Sequence, residues 1–170
     1  MSRTYFADCD KVAKEASARI TTFLELRGKK VMNVEGDKFF QQKDIDLVVI
    51  TEDLEFLTVE VKGEVMGDRT GNYFLEIISN NNKGTPGCIY QTRAQYLFFL
   101  FMDSNELCIF ETEPLQQWLR EHEDKLPKGK GQTTSRNGEP WYHSVGCLVP
   151  RQRLNAELQP EIHYLNDYLN

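Results

Sequence analysis

The residues best suited to chemistry gather in one stretch, DIDLVVITEDLEFLTVEVKGE, residues 44 to 64. Asp46 precedes four apolar residues, and Glu60 and Lys62 stand two apart in a second apolar run. Side chains of a strand alternate faces with period two. Asp44, Asp46, Val48 and Ile50 therefore share one face, and Phe56, Thr58, Glu60 and Lys62 share one face of the next strand. An antiparallel pairing with Asp46 opposite Glu60 sets Val48 against Thr58 and Ile50 against Phe56. It leaves TEDLE as a five-residue connection, an ordinary hairpin length. The other face, with Ile45, Leu47 and Val49 against Val61, Val59 and Leu57, is wholly apolar, as if covered by a helix.

Two facing carboxylates repel each other, and partial burial adds a desolvation cost to both ionised forms. A divalent cation removes the repulsion. Mg²⁺ takes oxygen ligands, typically one or two carboxylates together with waters and substrate phosphate. Lys62 points to the same place, where an ammonium can stabilise phosphate charge or orient and activate an attacking water. The set suits hydrolysis of a phosphodiester. The competing reading is a salt-bridged surface on which Lys62 neutralises Glu60 and Asp46. A lone E-x-K says little, but the apolar flanks and the matching register favour a site.

Asp46 with LVVI, followed by FLTVE60-V-K62 and preceded by an N-terminal helix, resembles the PD-(D/E)XK nuclease superfamily. The resemblance covers residues 8 to 64. It departs from the pattern in one place: Ile45 stands where the motif has proline. It implies an α/β domain with a mixed central β-sheet flanked by helices, a restriction-endonuclease-like core. It further implies Mg²⁺ or Mn²⁺ held by Asp46, Glu60 and the main-chain carbonyl of Val61, with Lys62 positioning or deprotonating the water. Glu15 is the match to the family's helix glutamate; its alternative is a solvated face with Lys11 and Arg19 one turn away. The implied substrate is DNA, cut to leave 5′-phosphates, with targeting by DNA structure, by a homodimer or by a protein partner.

Accessory candidates are Asp44, which shares the Asp46 face, and Glu76, a lone carboxylate in the apolar run YFLEII that needs a partner. Glu76 is expected beside Lys62 on the next strand. Gln91, Thr92 and Ser79 are weaker candidates for orienting a substrate strand or the lysine. Gln91 and Tyr96 are five apart, so the Q-x-x-x-Y element of some related nucleases is unmatched. Lys125, Lys128, Lys130, Arg136, Arg151 and Arg153, interspersed with Trp141, Tyr142 and His143, form a basic and aromatic group suited to phosphate contact and base stacking. Arg69 and Lys83 lie in loops beside the site and are second candidates for DNA contact. None of the three histidines lies where the cap-snatching viral endonucleases of this superfamily place a metal-binding one, which lowers the RNA-directed alternative. A second alternative is a catalytically silent nuclease fold used for binding.

The 170 residues are expected to form one domain, with 40% apolar and 27% charged residues. The net charge of −6 argues against coating nucleic acid by bulk charge, though not against a local basic patch. No apolar run approaches the ~20 residues of a membrane span, and the first residues lack the apolar stretch of a signal peptide, so a cytoplasmic protein is expected. Cys9, Cys88, Cys108 and Cys147 are scattered and read as free thiols. A helix is expected over 8–27, started by Asp8 or Asp10 and ended by Gly28. Strands are expected near 30–35, 45–51, 56–63, 73–79, 96–102 and over ELCIFE. A short helix is expected before residue 96, and another opening on the proline of PLQQWLREHEDKL. GDKFFQQK, NNNKGTPG and residues 127–142 read as loops, VGCLVP as the last strand, and 160–169 as a closing helix.

Overall fold

A computed structural model describes residues 5 to 167, leaving aside the side chains of residues 5–8 and Gln132. It is an α/β arrangement of two sheets flanked by helices. The elements run α1 (Tyr5–Leu26), β1 (Lys30–Asn33), α2 (Lys38–Gln41), β2 (Leu47–Ile50), β3 (Phe56–Glu64), α3 (Gly67–Thr70), β4 (Asn72–Asn80), β5 (Thr85–Pro86), α4 (Cys88–Gln91), β6 (Tyr96–Phe101), β7 (Glu106–Glu111), α5 (Thr112–His122), β8 (Lys128–Arg136), β9 (Glu139–Pro150), α6 (Arg151–Leu158) and β10 (Glu161–Tyr164). The first sheet is mixed, in the order β1-β2-β3-β6-β7-β10, with β3 and β6 its parallel pair. The second is antiparallel, in the order β5-β4-β9-β8.

The period-two alternation of β3 divides the interior. Val59 and Val61 face α1 and pack with Ala16, Ile20, Phe23, Leu47, Val49, Phe98 and Leu100. Gly63 continues that face, where a Cβ would come within 2.8 Å of Val12. The other face of the mixed sheet, through Leu97, Phe99, Phe101, Cys108 and Phe110, meets Tyr73, Leu75, Ile77, Cys147 and Val149 of the second sheet. Tyr73 stacks edge-on against Phe99, Phe101 and Phe110. Burying a side chain of this size is worth on the order of 2 kcal/mol, so the aromatic layer between the sheets is a main source of stability.

The β2–β3 hairpin has the expected register: Leu47 pairs with Val59, Val48 with Thr58, Val49 with Leu57 and Ile50 with Phe56. Other elements differ from expectation. Helix α1 begins before Asp8 and Asp10, so neither caps it; Gly28 does close it, at φ 74°, with Lys29 N donating to Leu24 O. GDKFFQQK is not all loop, because Asp37 accepts from Phe39 N at 2.8 Å and starts α2. Strand β4 joins the second sheet, so it is not the neighbour of β3. Residues 127–142 are a hairpin, β8 and the first part of β9, turning at Asn137 and Gly138 with φ of 53° and 84°. Consecutive left-handed residues are what a two-residue hairpin turn requires. VGCLVP ends β9 and is not the last strand; α6 follows at once, and 161–164 is strand where a helix was expected. Residues 168 and 169 of that expected helix lie outside the described residues.

Candidate active site

Strand β2 begins at Leu47, while β3 continues five residues past that residue's partner Val59. Asp46 sits at this step. Its N–H donates to Val59 O at 2.9 Å, and its Oδ2 accepts from Val61 N at 2.7 Å. The N–H and C=O of one strand residue point to the same edge, so the Val61 carbonyl also faces the Asp46 side, past the end of β2. Glu60, 4% exposed, lies near enough to Asp46 for the aspartate's charge to act on it. Lys62 Nζ reaches Glu60 Oε1 at 2.7 Å. Asp46, Glu60 and Lys62 are thus brought together, with the Val61 main chain between them.

Burial raises the Glu60 carboxyl to about 8; Lys62 opposes this, while the charges of Asp46 and Asp44 add to it. Burial pulls Lys62 down, but Cys88, Glu60 and Glu76 outweigh it and hold the amine well above its ordinary value. Burial also raises the Cys88 thiol, which keeps it neutral near pH 7. Glu60 and Glu76 are the acidic side chains whose proximity favours the charged lysine. A lysine so held is suited to stabilising negative charge.

Asp44 belongs to the group. Burial raises its carboxyl, Lys62 lowers it, and Asp46 and Glu76 raise it further. Its backbone is left-handed at φ 47°, and its carbonyl accepts from Thr92 Oγ1 at 2.7 Å. Thr92, buried at the end of α4, thus fixes the Asp44 loop and does not face a substrate. Glu76 reaches the site from the second sheet: its Oε1 accepts from Cys88 N at 3.2 Å, and its charge acts on Lys62. Gly87 makes this approach possible, since a Cβ there would lie 2.4 Å from Glu76 O.

Other expected residues stand apart. Glu15 is exposed and pairs with Arg19, whose guanidinium also donates to Met102 O and Asn105 Oδ1. Gln91 is exposed on α4. Ser79 Oγ donates to Pro86 O at 3.1 Å and holds the β4–β5 turn. Lys128 Nζ turns back onto the carbonyls of Glu123 and Leu126. Arg69 lies on α3, its guanidinium 3.0 Å from Met66 Sδ. Arg151 is not part of a basic surface: it bridges Asp68 and Glu106 and lies 3.6 Å over the Phe101 ring. Arg153 pairs with Glu157. Lys130, Arg136 and Lys83 are exposed.

No family model matches this chain, nor does any curated protein or solved structure. The site must therefore be read from its own geometry.

Among the described residues no three His, Cys, Asp or Glu side chains are arranged to hold a metal by themselves. The oxygen set of Asp46, Glu60 and the Val61 carbonyl is of another kind, two carboxylates and a carbonyl. Burial, with a smaller contribution from Asp46, disfavours the charged Glu60 carboxylate, and a hard cation bound there would favour it. The donor chemistry fits Mg²⁺ or Mn²⁺. One further carboxylate escaped the sequence reading. Glu64 stands two residues beyond Lys62 on the same face of β3, and burial raises it to about 7 despite Lys62. The alternation that grouped Glu60 with Lys62 also points to it. Cys88 carried no comparable signal. Two cavities, of about 410 Å³ beside Pro114 and Leu158 and about 210 Å³ beside Phe23 and Leu57, lie away from these residues.

Proposed function

We propose that the chain is a metal-dependent deoxyribonuclease with a restriction-endonuclease-like core, hydrolysing phosphodiesters at Asp46, Glu60 and Lys62. One observation carries the reading. Asp46 and Glu60 lie close enough for their charges to interact at the step where β2 begins, with a lysine 2.7 Å from Glu60 and a main-chain carbonyl aimed at the same edge. Asp46, Glu60 and the Val61 carbonyl would hold Mg²⁺ or Mn²⁺. When bound, such a cation supplies Lewis-acid stabilisation of charge on the phosphate oxygens. Lys62, its ammonium 2.7 Å from Glu60, adds a second positive charge on the same face and positions the phosphate. Asp44 and Glu76 keep that lysine in place from two directions.

Glu15 pairs with Arg19, and the proposed centre rests on Asp46, Glu60 and Lys62 without it. No helix among the described residues is long and apolar enough to cross a membrane, and the natural encounter is with DNA, alone or through a partner that supplies targeting. The test is a panel of single-stranded, duplex, flapped and branched DNA, with matched RNA, incubated with Mg²⁺. Metal-dependent cleavage of DNA supports the reading. Cleavage of RNA alone would reassign the substrate, and inertness with no Mg²⁺ binding by calorimetry would leave a nuclease-shaped binding module.

A further inference from the structure

The β8–β9 hairpin extends beyond the body of the second sheet, and the site chemistry makes no use of it. Its tip carries Trp141, 47% exposed, in a chain whose other tryptophan, Trp118, is buried. Arg136 lies 5.1 Å from the indole centroid on the facing strand, and Tyr142 meets Trp141 at 5.5 Å and 63°. Between Lys128 and His143 the only acid is Glu139, against Lys128, Lys130 and Arg136, in a chain of net charge −6. The arm is thus a local inversion of the overall charge, with an exposed aromatic at its end.

The arm is also braced. Three asparagines in a row, Asn80 to Asn82, form the turn beside it. Asn81 exchanges two hydrogen bonds with His143: its N–H donates to His143 O at 3.1 Å, and its Oδ1 accepts from His143 N at 2.8 Å. Asn82 Nδ2 donates to Trp141 O at 2.7 Å. Asn80 Oδ1 accepts from the N–H groups of Asn82 and Lys83, which sets the exposed Lys83 beside the arm. Every asparagine of the run is used to hold Trp141, His143 or the turn itself. A braced aromatic loses little conformational freedom when a flat ligand stacks on it.

We infer that the β8–β9 arm is a docking surface for unpaired, single-stranded DNA, with one base stacked on Trp141 and the backbone neutralised by Arg136, Lys130 and Lys83. Stacking on an exposed indole requires a base whose face is free, which duplex DNA offers only at its ends. The proposal deepens the nuclease reading and rests on it for the position of the cut alone. Glu76, whose charge acts on Lys62, is level with Gly146, five residues along β9 from Trp141. Five residues of antiparallel strand span roughly 17 Å. The cut is therefore expected several nucleotides from the held base.

The experiment uses the full chain carrying Lys62→Ala, so that substrate stays intact, with a labelled twelve-nucleotide oligo-dT and the matching dA·dT duplex. Oligo-dT is expected to quench the tryptophan emission and to bind at least tenfold more tightly than the duplex. Adding Trp141→Phe should abolish the quenching and weaken oligo-dT binding about tenfold; Arg136→Ala, also at the exposed tip, should weaken it several-fold, both with unchanged circular dichroism. Unchanged oligo-dT affinity in both variants, or duplex binding as tight as single strand, overturns the arm. Quenching and binding as expected, with no Mg²⁺-dependent cleavage by the unsubstituted protein, would uphold the arm and remove the nuclease reading. Cleavage by the unsubstituted protein, with affinity unmoved in both arm variants, would do the reverse.

Discussion

The Asp46 carboxylate accepts a hydrogen bond from the Val61 main-chain N–H at 2.7 Å. The aspartate takes the place of the strand partner that β2 no longer provides. One side chain thus joins two tasks: it finishes the edge of β3 and sets an anionic oxygen beside Glu60.

These tasks can be separated. Asn at position 46 keeps an oxygen acceptor for Val61 but not the charge. Asp46→Asn should fold with a melting temperature close to that of the unsubstituted chain and lose at least about a hundredfold of its cleavage rate. Asp46→Ala should lose the activity and also about 1–3 kcal/mol of stability, from the unsatisfied N–H. Thermal unfolding beside single-turnover cleavage checks both. Asn retaining full activity would contradict the charge requirement.

Glu60 makes stability depend on pH. Its carboxyl is ordinary near 4.5 when unfolded and is pushed up to about 8 by burial, with Lys62 opposing and Asp46 and Asp44 adding. Between these values the folded form binds the extra proton, so stability falls as pH rises through the window, by at most about 1.4 kcal/mol per pH unit for one group. Glu64, raised to about 7 by burial, acts in the same direction. In chelator, the melting temperature of the unsubstituted chain should fall from pH 5 to 8 more steeply than that of Glu60→Gln. Millimolar Mg²⁺ should flatten the difference. Parallel pH profiles for the two proteins would contradict the burial of an ionisable Glu60.

Arg151 should matter for folding and not for DNA. Its side chain is 18% exposed and bridges Asp68 and Glu106, themselves 15% and 14% exposed. Asp68 also accepts from Ser104 and from the Asp103 N–H. Truncating one partner of such a network strands buried charge and costs about 3–5 kcal/mol. Arg151→Ala should show that loss in denaturant unfolding while oligo-dT affinity, measured below its transition, stays within twofold.

Arg136 and Lys130 should show the opposite pattern. Each exposed cation that neutralises a phosphate contributes about 0.7 to the slope of log affinity against log salt for a single strand. Arg136→Ala and Lys130→Ala should each lower the slope by about that amount, with stability within ~0.5 kcal/mol of the parent. An affinity titration between 50 mM and 200 mM salt separates them from Arg151.

The hairpin register and the meeting of Asp46, Glu60 and Lys62 were legible in the sequence because alternation and a five-residue connection leave few ways to pair these strands. Glu64 was equally legible and went unread. The second sheet was not legible, since the alternation of YFLEIIS shows that β4 is a strand but not which sheet it joins. The β8–β9 arm was hidden by its glycines, which suggested a loop. The structure uses Gly131 for packing: a Cβ there would lie 2.6 Å from Phe74 Cζ. The Asn137-Gly138 pair was the stronger signal, because it names a turn type. Glu15 pairs with Arg19 one turn on, the alternative that the helix spacing already offered.

The most direct measurement is single-turnover cleavage of a flapped DNA carrying a single-stranded arm, with Mg²⁺ at millimolar concentration, comparing the unsubstituted chain with Glu60→Gln and Lys62→Ala after unfolding curves have shown all three to be folded. Cleavage that requires the metal, leaves 5′-phosphates and drops at least a hundredfold in both variants is the result expected of a hydrolytic centre on β3. Equal cleavage by all three proteins, or none by the unsubstituted chain, would contradict it.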